Sequence, residues 1–203
     1  MTLIYVATED ALSEAVADRI VREVNQGLHV AVRVGRKGNS YLRKRFVELS
    51  ETARNIPVLL LTDLDRIPCA STLIDQWSRG RMSAGDMLFR VAVRETEAWL
   101  LADREGFAHF AGIPKAKLPR DPELLHDPKQ TLLDLVRRFG RREIKTNLLP
   151  GPGSTAKIGF GYNLVLGDFV RDHWSVRSAA IQADSLERTC RRLRELSLRK
   201  TRC

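Results

Sequence analysis

Cysteine is scarce and scattered. Cys69, Cys190 and Cys203 form no CxxC pair and no even set within the 203 residues. Neither a disulfide framework nor a zinc cluster is expected, and the chain reads as a protein of a reducing cytoplasm. No apolar stretch approaches the roughly 20 residues that a membrane span requires, so no membrane association is expected. Residues 1–8 lack a basic n-region and run straight into Glu9 and Asp10, which does not describe a signal peptide. The four histidines are dispersed, none at ligand or triad spacing with a cysteine, so nucleophilic catalysis of that kind finds no support. A glycine-dense stretch, NLLPGPGSTAKIGFGYN, lacks the GxxxxGK[ST] spacing of a phosphate loop.

Acidic residues are also in deficit. Asp and Glu number 25 against 34 Lys and Arg, a net charge of +9. The excess is grouped: Arg33, Arg36, Lys37, Arg43, Lys44 and Arg45; then Arg137, Arg138, Arg141 and Arg142; then a tail with Arg188, Arg191, Arg192, Arg194, Arg199, Lys200 and Arg202. Such clustering is the electrostatic footprint of a nucleic-acid partner, the alternative being a solvated, arginine-rich surface. The 43% hydrophobic and 29% charged residues are those of an ordinary globular chain, long enough to bury a sizeable core.

The core is organised around residues 57–65, PVLLLTDLD. A short apolar run between turn signals reads as a fully buried strand of a parallel sheet. If the strand persists, Asp63 and Asp65 face one crevice at its carboxyl end, where open α/β sheets bind ligands. The alternative is that Asp63 caps the next helix and Asp65 is merely solvated. Residues 3–7 (LIYVA), 29–34 (HVAVRV) and 86–94 (DMLFRVAVR) are the other expected strands. Helices are expected over 11–26, 40–54 and 70–78. This alternation predicts βαβ units, an α/β fold with a parallel sheet of about four strands. Its strand ends would then share one edge.

Five carboxylates collect at that edge: Glu9, then Asp63 and Asp65, then Glu95 and Glu97. Crowded like charges call for a metal or cationic partners, although an acid at Glu95 also suits the first turn of a helix. Beyond Asp103, prolines at 114, 119, 122 and 128 mark a loop-rich connector. A helix over 129–139 and a last helix over 176–198 follow. Residues 1–103 thus read as the α/β core and 104–203 as a helical, basic extension packed on it.

A strand ending in Glu, a later strand ending in DxD and a βαβ frame resemble a Toprim domain, the metal-binding module of topoisomerases, primases and overcoming-lysogenization-defect type nucleases. More narrowly, TED…SE at residues 8–14, LLLTDLDRIPC, VRETEAWLLAD and DPKQTLLDLV resemble a Toprim-like family of unknown function linked to phage-defence loci. The glycine that commonly follows the Toprim glutamate is Asp10 here, which leaves open whether Glu9 or Asp10 faces the site. The resemblance implies Glu9 as general acid/base and Asp63 and Asp65 as holders of Mg²⁺ or Mn²⁺. Glu95 or Glu97 would complete a second metal position, as in two-metal phosphoryl transfer. Lys37, Arg66, Arg94 and Lys157 are candidates for holding phosphate. The expected function is therefore phosphodiester hydrolysis of nucleic acid. A non-catalytic subunit that binds nucleic acid or a partner ATPase is the alternative. A phosphoacceptor receiver ranks last, for want of a hydroxyl residue after the fourth strand and a lysine after a fifth. The sequence does not set the oligomeric state.

Overall fold

The apolar run of residues 58–61 lies at the centre of a computed structural model that describes residues 2–24, 27–80 and 85–201. The expected end of the first helix at 25–26, and Arg202 and Cys203, lie outside the described residues. Strand β1 (Thr2–Thr8) is followed by α1 (Ala11–Val24), β2 (Leu28–Gly35), α2 (Asn39–Lys44), α3 (Phe46–Thr52), β3 (Val58–Asp63), α4 (Ala70–Ser78), β4 (Met87–Ala92) and α5 (Thr96–Ala102). The four strands form an all-parallel sheet in the order β2-β1-β3-β4. Val58, Leu59, Leu60 and Leu61 are buried on both faces, as the unbroken apolar run requires of an inner parallel strand.

The sheet separates two apolar layers. On one side Phe46, Leu49, Trp77 and Phe89 pack with Ala7, Val58 and Leu60 beneath α2, α3 and α4. Phe89 lies 5.4 Å from the Phe46 ring and 5.2 Å from that of Trp77. On the other side Ile4, Val6, Leu59 and Leu61 meet Leu12, Val16 and Ile20 of α1, whose spacing of four lines up one helical stripe. The same layer continues into the C-terminal half: α6 (Arg104–Ala111), α7 (Pro128–Phe139), α8 (Arg142–Leu148), α9 (Tyr162–Asp172), α10 (Val176–Gln182) and α11 (Asp184–Thr201). Trp99 of α5 is fully buried there. Its indole donates to Ser185 (2.8 Å), and its carbonyl accepts from the Trp174 indole (3.1 Å). Truncating such a side chain costs about 3–5 kcal/mol. The helical half therefore completes the core of the sheet and does not sit apart from it.

Three expectations about helices change. The helix expected over 40–54 is two helices that break at Arg45. The last helix is likewise two, broken at Ala183, which is extended and buried. That second break presents the Ser185 N–H to the Glu123 carboxylate (3.1 Å). Helices α6, α8 and α9 occupy stretches without an expected helix. Asp103 sets the start of α6, with one oxygen accepting from Gly106 N and the other from Ser175 N.

The strand order has a functional consequence. The chain leaves β1 towards β2 on one side and returns to β3 on the other, so the connection reverses between β1 and β3. Such a switch point opens a crevice outside the carboxyl ends of the strands. Among the described residues no helix is long and apolar enough to cross a membrane.

Candidate functional site

Glu9 and Asp63 stand side by side at the switch point, one just past the end of β1 and the other the last residue of β3. One oxygen of Glu9 takes three donors: the Thr62 hydroxyl, the Asp63 N–H (3.0 Å) and the Asn39 amide (3.3 Å). Its other oxygen has no hydrogen-bond partner among the described residues. The Glu9 carboxyl is raised above its ordinary value by burial, which outweighs those three hydrogen bonds. Gly35 stands in register with Thr8 at φ +125°. A Cβ there would fall 1.9 Å from the Thr8 carbonyl, so glycine alone permits the close approach that leads into Glu9.

Asp63 is bound through one oxygen to Thr96, from its N–H (2.9 Å) and its hydroxyl (2.8 Å). The start of α5 thereby fixes the end of β3. Burial, then the charges of Glu97, Glu9 and Asp10, hold its carboxyl well above the usual range. Neither Glu9 nor Asp63 has an ion-pair partner among the described residues. Asp10 is committed elsewhere: its carboxylate accepts from Ser13 N (2.8 Å) and the Ser13 hydroxyl (2.7 Å) and caps α1. Of the two, it is therefore Glu9 whose carboxylate packs at Asp63, while Asp10 contributes charge.

The DxD pair is not a continued strand. β3 ends at Asp63, and the N–H groups of Leu64 and Asp65 both turn onto the Arg94 carbonyl (2.9 and 3.0 Å). Asp65 takes the left-handed region at φ 51°, which aspartate tolerates, and is exposed. Asp65 lines the crevice, and its charge adds to the rise of the Glu9 carboxyl.

Glu95 and Glu97 also part company. Glu95 lines the crevice and accepts from the Lys129 N–H (2.8 Å) in the first turn of α7. Burial pushes its carboxyl up to about 7 against that hydrogen bond, with help from Glu97 and Asp127. Glu97 is buried behind it, accepting from the Tyr162 hydroxyl (2.7 Å) and pairing with the Lys129 ammonium (3.4 Å). Lys129 lies 5.0 Å over the Tyr162 ring. Burial works to lower the Lys129 value, but Glu97, Asp10 and Glu95 together raise it, so the ammonium stays charged. One half-buried cation thus offsets the Glu97 carboxylate, and Glu9 and Asp63 are left without an ion-pair partner among the described residues. Among the described residues no three carboxylate, imidazole or thiol groups converge closely enough to form a metal-holding group.

The crevice has a volume of about 940 Å³. Asp65, Glu95 and Asp127 are its acids, and Arg43, Arg66, Arg94, Lys129 and Lys157 its cations; Glu9 and Asp63 are not part of the lining and adjoin it through Asn39 and Leu64. Arg94 spends one nitrogen on the carbonyls of Asp65 (3.0 Å) and Ile67 (3.2 Å), which shapes the loop after β3. Lys37 is not part of the lining; it lies 5.2 Å over the Tyr41 ring. Sequence reasoning missed Asn39, Thr62, Thr96, Lys129 and Tyr162. Only Lys129 left a signal, in the Asp127-Pro128 start of its helix, where Asp127 caps onto Gln130 N at 2.7 Å. No family model, no curated protein and no solved structure matches the chain.

Proposed function

We propose that the Glu9–Asp63 pair at the switch point, with the crevice beside it, catalyses divalent-metal-dependent phosphoryl transfer, specifically hydrolysis of phosphodiesters in nucleic acid, in the manner of a Toprim-like domain. The observation that carries this reading is the meeting of Glu9 and Asp63 at the switch point, with no cation paired to either among the described residues. Carboxylate oxygens are the donors that Mg²⁺ and Mn²⁺ prefer. Mg²⁺ is commonly held by only one or two carboxylates plus substrate phosphates, so a two-carboxylate site is sufficient. Glu9 and Asp63 would hold the ion, with Asp65 at the rim. Bound there, Mg²⁺ supplies charge neutralisation at phosphoryl oxygens and an acidified water.

The chain's own residues account for the rest. Glu9 keeps one oxygen free, and that oxygen would be the one offered to the ion. Thr62, Asn39 and the Asp63 N–H fix its other oxygen, so the free one is pre-oriented. Arg43, Arg66 and Lys157 line the crevice and hold phosphate by charge. Lys129 retains Glu97 and keeps the inner wall from adding a third uncompensated carboxylate.

The test is cleavage of single- and double-stranded DNA and RNA with Mg²⁺ or Mn²⁺, beside Glu9→Gln and Asp63→Asn. Metal-dependent cutting lost in both variants is expected, and cutting that persists in both refutes the assignment. One observation favours a second reading, a binding subunit for nucleic acid or an ATPase that does not cut. Glu97 is taken by Tyr162 and Lys129, which leaves no third carboxylate beside Glu9 and Asp63. Silence on every substrate from a folded protein that binds nucleic acid would select it.

A further inference from the structure

The segment that closes one side of the crevice carries a feature the proposed chemistry does not use. Phe160 is fully exposed, at 111% of its reference area, more than any other large apolar side chain among the described residues. It is held out by its neighbours. Gly159 N donates to the Leu148 carbonyl (2.8 Å) and Gly161 N to the Asn147 carbonyl (3.1 Å), drawing the backbone tightly onto the end of α8. A Cβ at Gly159 would fall 2.2 Å from the Asn147 carbonyl oxygen, and one at Gly161 would fall 2.7 Å from the Asn147 side chain. Backbone crowding therefore requires glycine at 159, and at 161 any larger residue would have to displace the Asn147 side chain. The segment is also tied to the site at both ends. Lys157 and Ile158 line the crevice, and the Tyr162 hydroxyl reaches Glu97.

Part of the basic surface is neutralised in the fold and part is not. In the tail, Arg188, Arg191 and Arg192 are paired with Asp184, Glu187 and Glu195, and Arg199 and Lys200 share Asp86. In the first basic group, Arg33, Arg36 and Arg45 are paired with Asp18, Glu14 and Glu48. Arg43, Arg66 and Lys157, on the crevice wall, have no carboxylate partner among the described residues. Arg43 also belongs to an adjoining groove of about 460 Å³ with Lys44 and Arg79, which are likewise without one. Charges left free along a groove, with an exposed aromatic ring three residues after Lys157, match a backbone of phosphates carrying unstacked bases.

Resting on the phosphoryl-transfer reading, we propose that the crevice takes single-stranded nucleic acid. Phe160 stacks on a base beside the scissile phosphate, and Lys157, Arg66 and Arg43 track the backbone into the groove at Lys44 and Arg79. A duplex keeps its bases stacked on one another and offers no free face to an isolated ring, so the platform discriminates for single strands.

The experiment is fluorescence anisotropy of the full chain with labelled dT and rU oligonucleotides and a hairpin duplex, in EDTA so that no cleavage intervenes. Phe160→Ala is expected to weaken single-strand binding about tenfold, to leave the salt dependence unchanged and to alter duplex binding little. Phe160→Trp should restore it. Lys157→Ala and Arg66→Ala should instead each lower the slope of log affinity against log salt by about one. Phe160 is fully exposed, so its variants should melt as the wild type does. Equal single-strand affinity in wild type and Phe160→Ala, or tighter binding of the duplex, overturns the proposal. The dT and rU arms distinguish DNA from RNA as the source of the strand. Binding without metal is read independently of cutting, so loss of the hydrolase reading and loss of this one give different results.

Discussion

Asp63→Asn should make the protein more stable and, on the proposed function, abolish Mg²⁺ binding. Asparagine has the same shape, and its carbonyl oxygen still accepts from the Thr96 N–H and hydroxyl. Its amide replaces a carboxylate that faces Glu9, Glu97 and Asp10 with no cation of its own. Relief of a strained site of this kind is worth about 1–2 kcal/mol. For a chain of this length that is about 3–6 °C in Tm. The sign depends on pH. The Asp63 carboxyl is raised in the folded state, so the folded protein binds the proton more tightly than the unfolded chain does. Wild-type stability therefore falls as pH rises from the ordinary aspartate value through the folded one, and the whole penalty is present above it. The gain from Asp63→Asn should accordingly grow with pH and be larger at pH 8 than at pH 4.5. Differential scanning fluorimetry at both pH values, with and without Mg²⁺, reads all of this. Mg²⁺ at ten times its Kd adds about 1.4 kcal/mol to the wild type and little to the variant. A variant that melts at or below the wild type at pH 8, or a difference that is the same at both pH values, would refute the reasoning.

Glu95→Gln should flatten the loss of stability between about pH 5 and 7, because the Glu95 carboxyl is raised to about 7 and its ionised form is disfavoured in the fold. The comparison is a pH series of thermal melts, in which the wild-type and variant curves should converge at low pH and separate above 7. Tyr162→Phe removes a donor from the buried Glu97 carboxylate, and should cost about 2 kcal/mol in urea unfolding with the m-value unchanged.

Local sequence foretold the sheet because each strand is a short apolar run ended by a turn residue. It also located Glu9, Asp63 and Glu95 at or just past strand ends, because that distance is a local matter. Geometry past those ends was less visible. Asp63 and Asp65 look like one pair in sequence, but the turn onto the Arg94 carbonyl separates them, and that contact spans about thirty residues. Glu95 and Glu97 look alike too. Only the arrival of Lys129 and Tyr162, 34 and 65 residues away, assigns one to the crevice and the other to the wall. The helix breaks at Arg45 and Ala183 were hidden because apolar spacing continues across them. Basic clusters overstated free charge, since Asp18, Glu14, Glu48 and the acids of α11 neutralise many of those arginines in the fold.

The most direct test of the central claim is a Mn²⁺ titration followed by electron paramagnetic resonance, on the wild type and on Glu9→Gln and Asp63→Asn. The expected result is saturable binding in the wild type, competed by Mg²⁺ and lost or weakened at least tenfold in both variants. Absence of binding by the wild type, or binding that both substitutions leave intact, would contradict it.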